Sequence, residues 1–181
     1  MIIEGKEIFF KSQFPIPYFQ VTDEYRIRFG FEVLDKKRIQ EVIEHAFQIN
    51  DDITVELKLR SYIDNKEIRE RTNMNRYFTI NNWEEHIVDG FVDPDYPDDI
   101  DRFMMVKVKR IQKSEIVKYA KSAIRNYKRE VFIHFYTEHV DVFVHEDVID
   151  IVSHDTKFIE DFKAKYEGIY DTYWVGRPND E

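Results

Sequence analysis

The chain has 181 residues, 43% of them apolar and 35% charged, with fifteen Phe, eleven Tyr and a formal charge of −9 at neutral pH. That is enough apolar material to fill one core, and this aromatic content excludes a disordered polyelectrolyte. The absence of cysteine removes disulfides, thiolate nucleophiles and Cys-based zinc sites, while the acidic balance speaks against nucleic acid, which is bound mainly through Lys and Arg.

The N-terminal stretch MIIEGKEIFFKSQF carries Glu4 and Glu7 where a signal peptide needs an apolar run. No uncharged stretch approaches the roughly 20 residues of a membrane span. The expectation is one cytoplasmic domain over 1–181, without membrane contact or cofactor.

Residues 1–22 read as an extended arm, because Pro15 and Pro17 interrupt regular structure. Residues 23–60 form a strand–helix–strand unit. Tyr25, Ile27, Phe29 and Phe31 alternate with Arg26 and Arg28, the period of a half-buried strand. Asp35 is placed to cap a helix over 35–49, where Ile39, Val42, Ile43, Ala46 and Phe47 recur at helical spacing. Ile53, Val55, Leu57 and Leu59 then alternate with Thr54, Glu56, Lys58 and Arg60 as a second strand. The three arginines are expected on one sheet face, paired across the sheet with Glu32 and Glu56, an anionic ligand being the alternative.

Residues 61–101 have no clear period. From Glu84 to Asp101 there are eight carboxylates and no Lys or Arg, and Gly90, Pro94 and Pro97 exclude a helix. A long acidic loop is predicted, of the kind that carries function when it occurs inside a domain.

Residues 102–181 repeat the strand–helix–strand order and extend it. Phe103–Arg110 is a strand with Val106 and Val108 inward, and Ser114 caps a helix over 114–128 with Glu115 in its first turn. Val131, Ile133 and Phe135 mark the next strand. If the chain turns at Glu138-His139, Tyr136 faces Asp141, Phe135 faces Val142 and His134 faces Phe143. Val148–Val152 adds a further strand. Asp155 or Ser153 then caps a helix over 155–168, and the aromatic tail packs back on the body before Pro178. The fold class is α+β: a mixed sheet of about six strands with three helices mainly on one face, each crossover joining parallel strands where they share a sheet.

Two patterns bear on chemistry. The acidic stretch, with Phe91, Asp93, Asp95, Tyr96, Asp98 and Asp99, lacks the Gly and closing Glu of an EF-hand. Its interleaved aromatics and carboxylates suit a docking surface for a basic protein partner, or a solvated loop. The strands at 131–152 put His134, His145, Asp141 and Asp150 on the sheet face opposite the core. Two His and two Asp are zinc-ligand types. However, Phe143 separates His134 from Asp150, and positions two apart along a strand diverge by about 7 Å. The plainer reading is an exposed polar face, or one covered by the N-terminal arm. Lys107, Lys109, Arg110 and Lys113 read as a solvated strand end and helix start. No G-x-S-x-G, H-E-x-x-H or Walker motif is present, and no catalytic residue is assigned.

The segments YRIRFG (25–30), VFIHFY (131–136) and VDVFVHEDVIDIVS (140–153), with KYEGIYDTY near the end, resemble an uncharacterised domain family widespread in Bacillus-type Gram-positive bacteria. Its members carry an aromatic-x-Ile-Arg-Phe strand near the start, then a strand hairpin and a Tyr-containing helix at the end. The resemblance implies a small bacterial cytoplasmic protein, of a kind suspected to neutralise a neighbouring toxin, and it supplies no catalytic residues. The expected function is a binding protein, such as an immunity-type inhibitor of a basic toxin. The alternatives are a metal-binding enzyme or sensor using the His/Asp face, and a regulatory or structural module.

Overall fold

Antiparallel pairing organises the sheet. The computed structural model describes residues 2–3, 5–8, 17–48, 52–63, 66–69, 73–80, 83–92, 100–126, 133–144 and 147–176. Its strands are β1 (Ile2–Ile3), β2 (Lys6–Glu7), β3 (Arg26–Gly30), β4 (Thr54–Ile63), β5 (Lys66–Arg69), β6 (Trp83–Val92), β7 (Ile100–Lys109), β8 (Ile133–Tyr136), β9 (Val140–Val144) and β10 (Val148–Ser153). The helices are α1 (Lys36–Ala46), α2 (Lys113–Asn126) and α3 (Thr156–Lys165). β1 and β2 pair with each other. The main sheet runs β3-β10-β9-β8-β4-β7-β6, with β5 continuing the β8 side of β4.

The α+β class holds, with corrections. The main sheet has eight strands rather than about six. Among the described residues every neighbouring pair is antiparallel, so the sheet is not mixed; the strands that each crossover joins, β3 with β4 and β7 with β8, do run parallel but are not neighbours. β10, β9 and β8 lie between β3 and β4, and β4 lies between β7 and β8. Hairpins place β6 beside β7 and β9 beside β8, while β3 takes the remote β10 and β4 the remote β7 and β8 as neighbours. The stretch 61–101 is not simply a loop, since it supplies β5, β6 and the start of β7. β6 escaped detection because both faces of an edge strand meet solvent, which erases the period of two.

The helices begin as their caps dictate. Asp35 Oδ1 accepts from the amides of Lys37 and Arg38 at 2.9 and 2.8 Å, and Asp155 Oδ1 from those of Lys157 and Phe158 at 3.0 and 3.2 Å. Ser114 is not the cap of α2, which already begins at Lys113. Instead the Glu115 carboxylate reaches back to the Gln112 amide at 2.8 Å, the return bond of a capping box.

Buried residues of all three helices join one core with Ile27, Ile151, Val142, Phe135, Val55 and Val108 of the sheet. These six are cross-strand partners in one row, and the row ends on Trp83 of β6. The first six are at most 2% exposed and Trp83 is 54% exposed. The helical cover stops short of the last strand. Among the described residues no helix is long and apolar enough to cross a membrane.

Candidate functional site

The sheet face away from the helices is the polar one, and register dictates its order. Paired residues share a face. Arg28, Asp150, Phe143, His134, Glu56, Lys107 and Glu84 therefore form one transverse row from β3 to β6. The hairpin register expected for Tyr136, Phe135 and His134 against Asp141, Val142 and Phe143 is the one observed.

At the β3 end the face is covered by the N-terminal arm. Tyr18 is buried, and the Arg28 guanidinium lies 4.2 Å from its ring centroid and 4.8 Å from that of Phe19. Arg28 donates to Asp150 through Nε and Nη2 at 2.6 and 2.7 Å, a bidentate pair sealed from water. Arg26 donates to Asp23 and to the Tyr18 carbonyl. The expected pairs do not form: β10 and not β4 lies beside β3, which keeps Glu56 away, and the two guanidiniums are held by Asp23 and Asp150 rather than by Glu32. Arg60 leaves this face altogether. A bulge between Lys58 and Arg60 inserts one residue and turns Arg60 to the other side, where it pairs with Glu67 at 3.2 Å.

The centre of the row is a charge network. His134 shares Nδ1 with both carboxylate oxygens of Asp141 at 2.9 and 2.8 Å, and its Nε2 lies 3.7 Å from Glu56. Glu56 also meets His86 Nε2 at 2.8 Å and Lys107 Nζ at 3.5 Å. Burial disfavours the charged imidazole, but the Asp141 and Glu56 carboxylates overcome it and raise the His134 pKa to about 9. Burial likewise works against the Glu56 carboxylate. Its approach to His134, with the charges of Lys107 and His86, nevertheless holds it below the usual carboxylate range. Tyr136 stacks on His134 with ring centroids 5.0 Å apart, and burial beside Glu56 and Asp141 pushes its hydroxyl up to about 12.

The structure divides the zinc-type residues between separate pairs. His134 and Asp141 hydrogen-bond to each other, Asp150 is taken by Arg28, and His145 lies outside the described residues. Among the described residues no group of three His, Cys, Asp or Glu is placed to hold a metal ion. Nor is the face the exposed one that its polarity suggests: His134, Phe143 and Asp150 are 5%, 2% and 1% exposed. Sequence reasoning missed Glu56 and His86 as members of this cluster. They come from remote strands, and nothing local in the sequence signals that β8 pairs with β4.

The acidic candidate lies at the other end of the sheet. Phe91 falls within β6, while Asp93, Asp95, Tyr96, Asp98 and Asp99 lie outside the described residues. Between Tyr77 and Asp101 the chain has no Lys or Arg. Along β6, Glu84 and Glu85 are exposed, Glu84 reaching Lys109 at 2.8 Å and Glu85 accepting from the Trp83 indole at 3.0 Å. A cavity of about 170 Å³ lies elsewhere, between the end of α1, the β8–β9 turn and the start of α3. Two of its polar side chains are engaged: Thr137 Oγ1 accepts from the His139 and Val140 amides, and Ser153 Oγ donates to the His139 carbonyl.

Comparison of the chain with family models, curated proteins and solved structures finds no match. The functional reading rests on the chain's own residues.

Proposed function

We propose that this chain is a binding protein whose acidic stretch docks a protein partner with a basic surface. One observation carries the reading: from Tyr77 to Asp101 every fully charged residue is a carboxylate, and the strand within that stretch, β6, lies at the sheet edge with Glu84 and Glu85 exposed. A single-signed field of this kind accelerates encounter with an oppositely charged surface and rejects like-charged ones. An immunity-type inhibitor of a basic toxin is the concrete form that the family resemblance implies. The polar row across the sheet supports the binding reading differently. Its charges are spent on one another, so it reads as a scaffold that holds the edge.

The test uses the partner recovered with the tagged full-length chain from its native host. Association should slow by about tenfold or more when Asp93, Asp95, Asp98 and Asp99 are all changed to Asn, and its salt dependence should flatten. Unchanged association kinetics and salt slope would remove the acidic stretch from the binding surface.

A further inference from the structure

The two edges of the main sheet are treated differently. At β3 the C-terminal tail closes the edge: the Asp171 amide donates to the Arg28 carbonyl at 2.8 Å, and the Trp174 carbonyl accepts from Arg26 at 3.4 Å. At β6, among the described residues, no strand pairs with the outer edge. An uncovered strand of this length presents a row of backbone donors and acceptors ready for another chain. β6 also carries the uncovered end of the core row. Trp83 and Ile87 point to the helix side of the sheet and are 54% and 62% exposed, because the helices end before reaching them.

Resting on the acidic-docking reading above, we propose that β6 takes an extended, Lys- or Arg-bearing segment of the partner as an added antiparallel or parallel strand. Its backbone would pair with the outer edge of β6, its basic side chains would lie on the polar face beside Glu84, and its apolar side chains would cover Trp83 and Ile87 on the other face. Charge selects this occupant over a second copy of the chain. The ionisable residues of β6 are Glu84, Glu85, His86 and Asp89. Pairing β6 with itself brings together two strands that carry three carboxylates each and no Lys or Arg, so no cross-strand ion pair between opposite full charges can form, whereas a basic strand supplies the opposite charge.

The probe is a capped peptide of about ten residues alternating Lys and Val, roughly the length of a long strand. It is titrated at low salt into the full-length, ¹⁵N-labelled chain. Two versions of equal charge carry N-methyl groups on alternate residues, one in each frame, so that only one frame blocks the hydrogen bonds facing β6. Strand addition predicts that the parent binds and perturbs the Trp83–Val88 amides. It also predicts that one methylated frame binds like the parent while the other is weaker by about tenfold or more, since several backbone hydrogen bonds are lost at once. Equal affinity for all three peptides, or perturbations confined to other strands, would overturn strand addition and leave acidic docking standing. Absence of binding by the parent peptide would overturn both. A dimer of the chain that Ile87→Lys dissociates would assign the edge to a second copy and overturn the basic occupant.

Discussion

His134 holds Asp141 through one ring nitrogen, at 2.9 and 2.8 Å to its two oxygens, and turns the other toward Glu56 at 3.7 Å. The ring is 5% exposed, so the pair of carboxylates and not solvent keeps it protonated. This charge completes a pattern. Along the row Arg28, Asp150, His134, Glu56, Lys107 and Glu84 alternate in sign, interrupted only by Phe143. A neutral His134 would leave Asp141 and Glu56 facing each other across an uncharged ring.

The first prediction concerns that proton. The folded pKa, about 9, lies above the ordinary value of 6.5. The stabilisation is therefore complete below pH 6.5 and is lost as pH rises through about 9. Imidazole ¹⁵N shifts should give a midpoint well above the ordinary value, and urea denaturation should show stability falling over the same interval. Asp141→Asn should lower the midpoint and cost about 1.5–3 kcal/mol at the acid side, the range for hydrogen bonds to charged groups. An ordinary His midpoint in the native chain would refute the network.

Arg28 and Asp150 give a second prediction. Both are at most 8% exposed, and their bidentate contact is the strongest geometry such a pair offers. Asp150→Ala strands a buried guanidinium and should destabilise by about 3–5 kcal/mol, while Arg28→Met with Asp150→Leu should lie much nearer the parent. Urea denaturation of the parent and the two variants measures the difference. Equal loss in the single and double variants would mean that packing against Tyr18, rather than the ion pair, dominates.

The parts of this fold legible in the sequence are those whose signal is local. The hairpin around His139 could be read to the residue, because alternation on both sides of a short turn leaves one register that buries Phe135 and Val142 together. Asp35 is legible as a cap for the same reason, and Asp155 as one of two candidates beside Ser153. Strand order was not. Arg28 meets Asp150, and Glu56 meets His134, only because distant strands become neighbours, and no periodicity encodes that choice. The bulge that turns Arg60 away was likewise hidden, since one inserted residue leaves the composition of β4 unchanged. On the acidic stretch the charge was visible at once, but the strand within it was not.

Glu115 supports a third prediction. One carboxylate oxygen accepts from the Thr79 amide and the other from the Gln112 amide, both at 2.8 Å. A single side chain thus begins α2 and ties down the segment around Phe78, which packs against Tyr119 and Phe135. Glu115→Ala should cost about 1–2 kcal/mol, the upper part of the range for lost caps. Hydrogen exchange at Thr79 should accelerate with it. Protection at Thr79 equal to that of the parent would show that the aromatic contacts alone hold this segment.

Glu56 joins the two halves of the network and gives the last prediction. Its carboxylate is held below the usual range, so the stabilisation it supplies is present above its ordinary pKa of 4.5 and is lost as pH falls through the lower folded value. Glu56→Gln should therefore flatten the acid limb of the stability profile. The same change removes one of the two carboxylates facing His134, so the His134 midpoint should fall. It should remain above 6.5, because Asp141 is the nearer and stronger of the two influences. Imidazole ¹⁵N titration of the Gln variant measures this directly. An unmoved midpoint would show that the 3.7 Å approach carries no coupling, and would confine the His134 charge to its bond with Asp141.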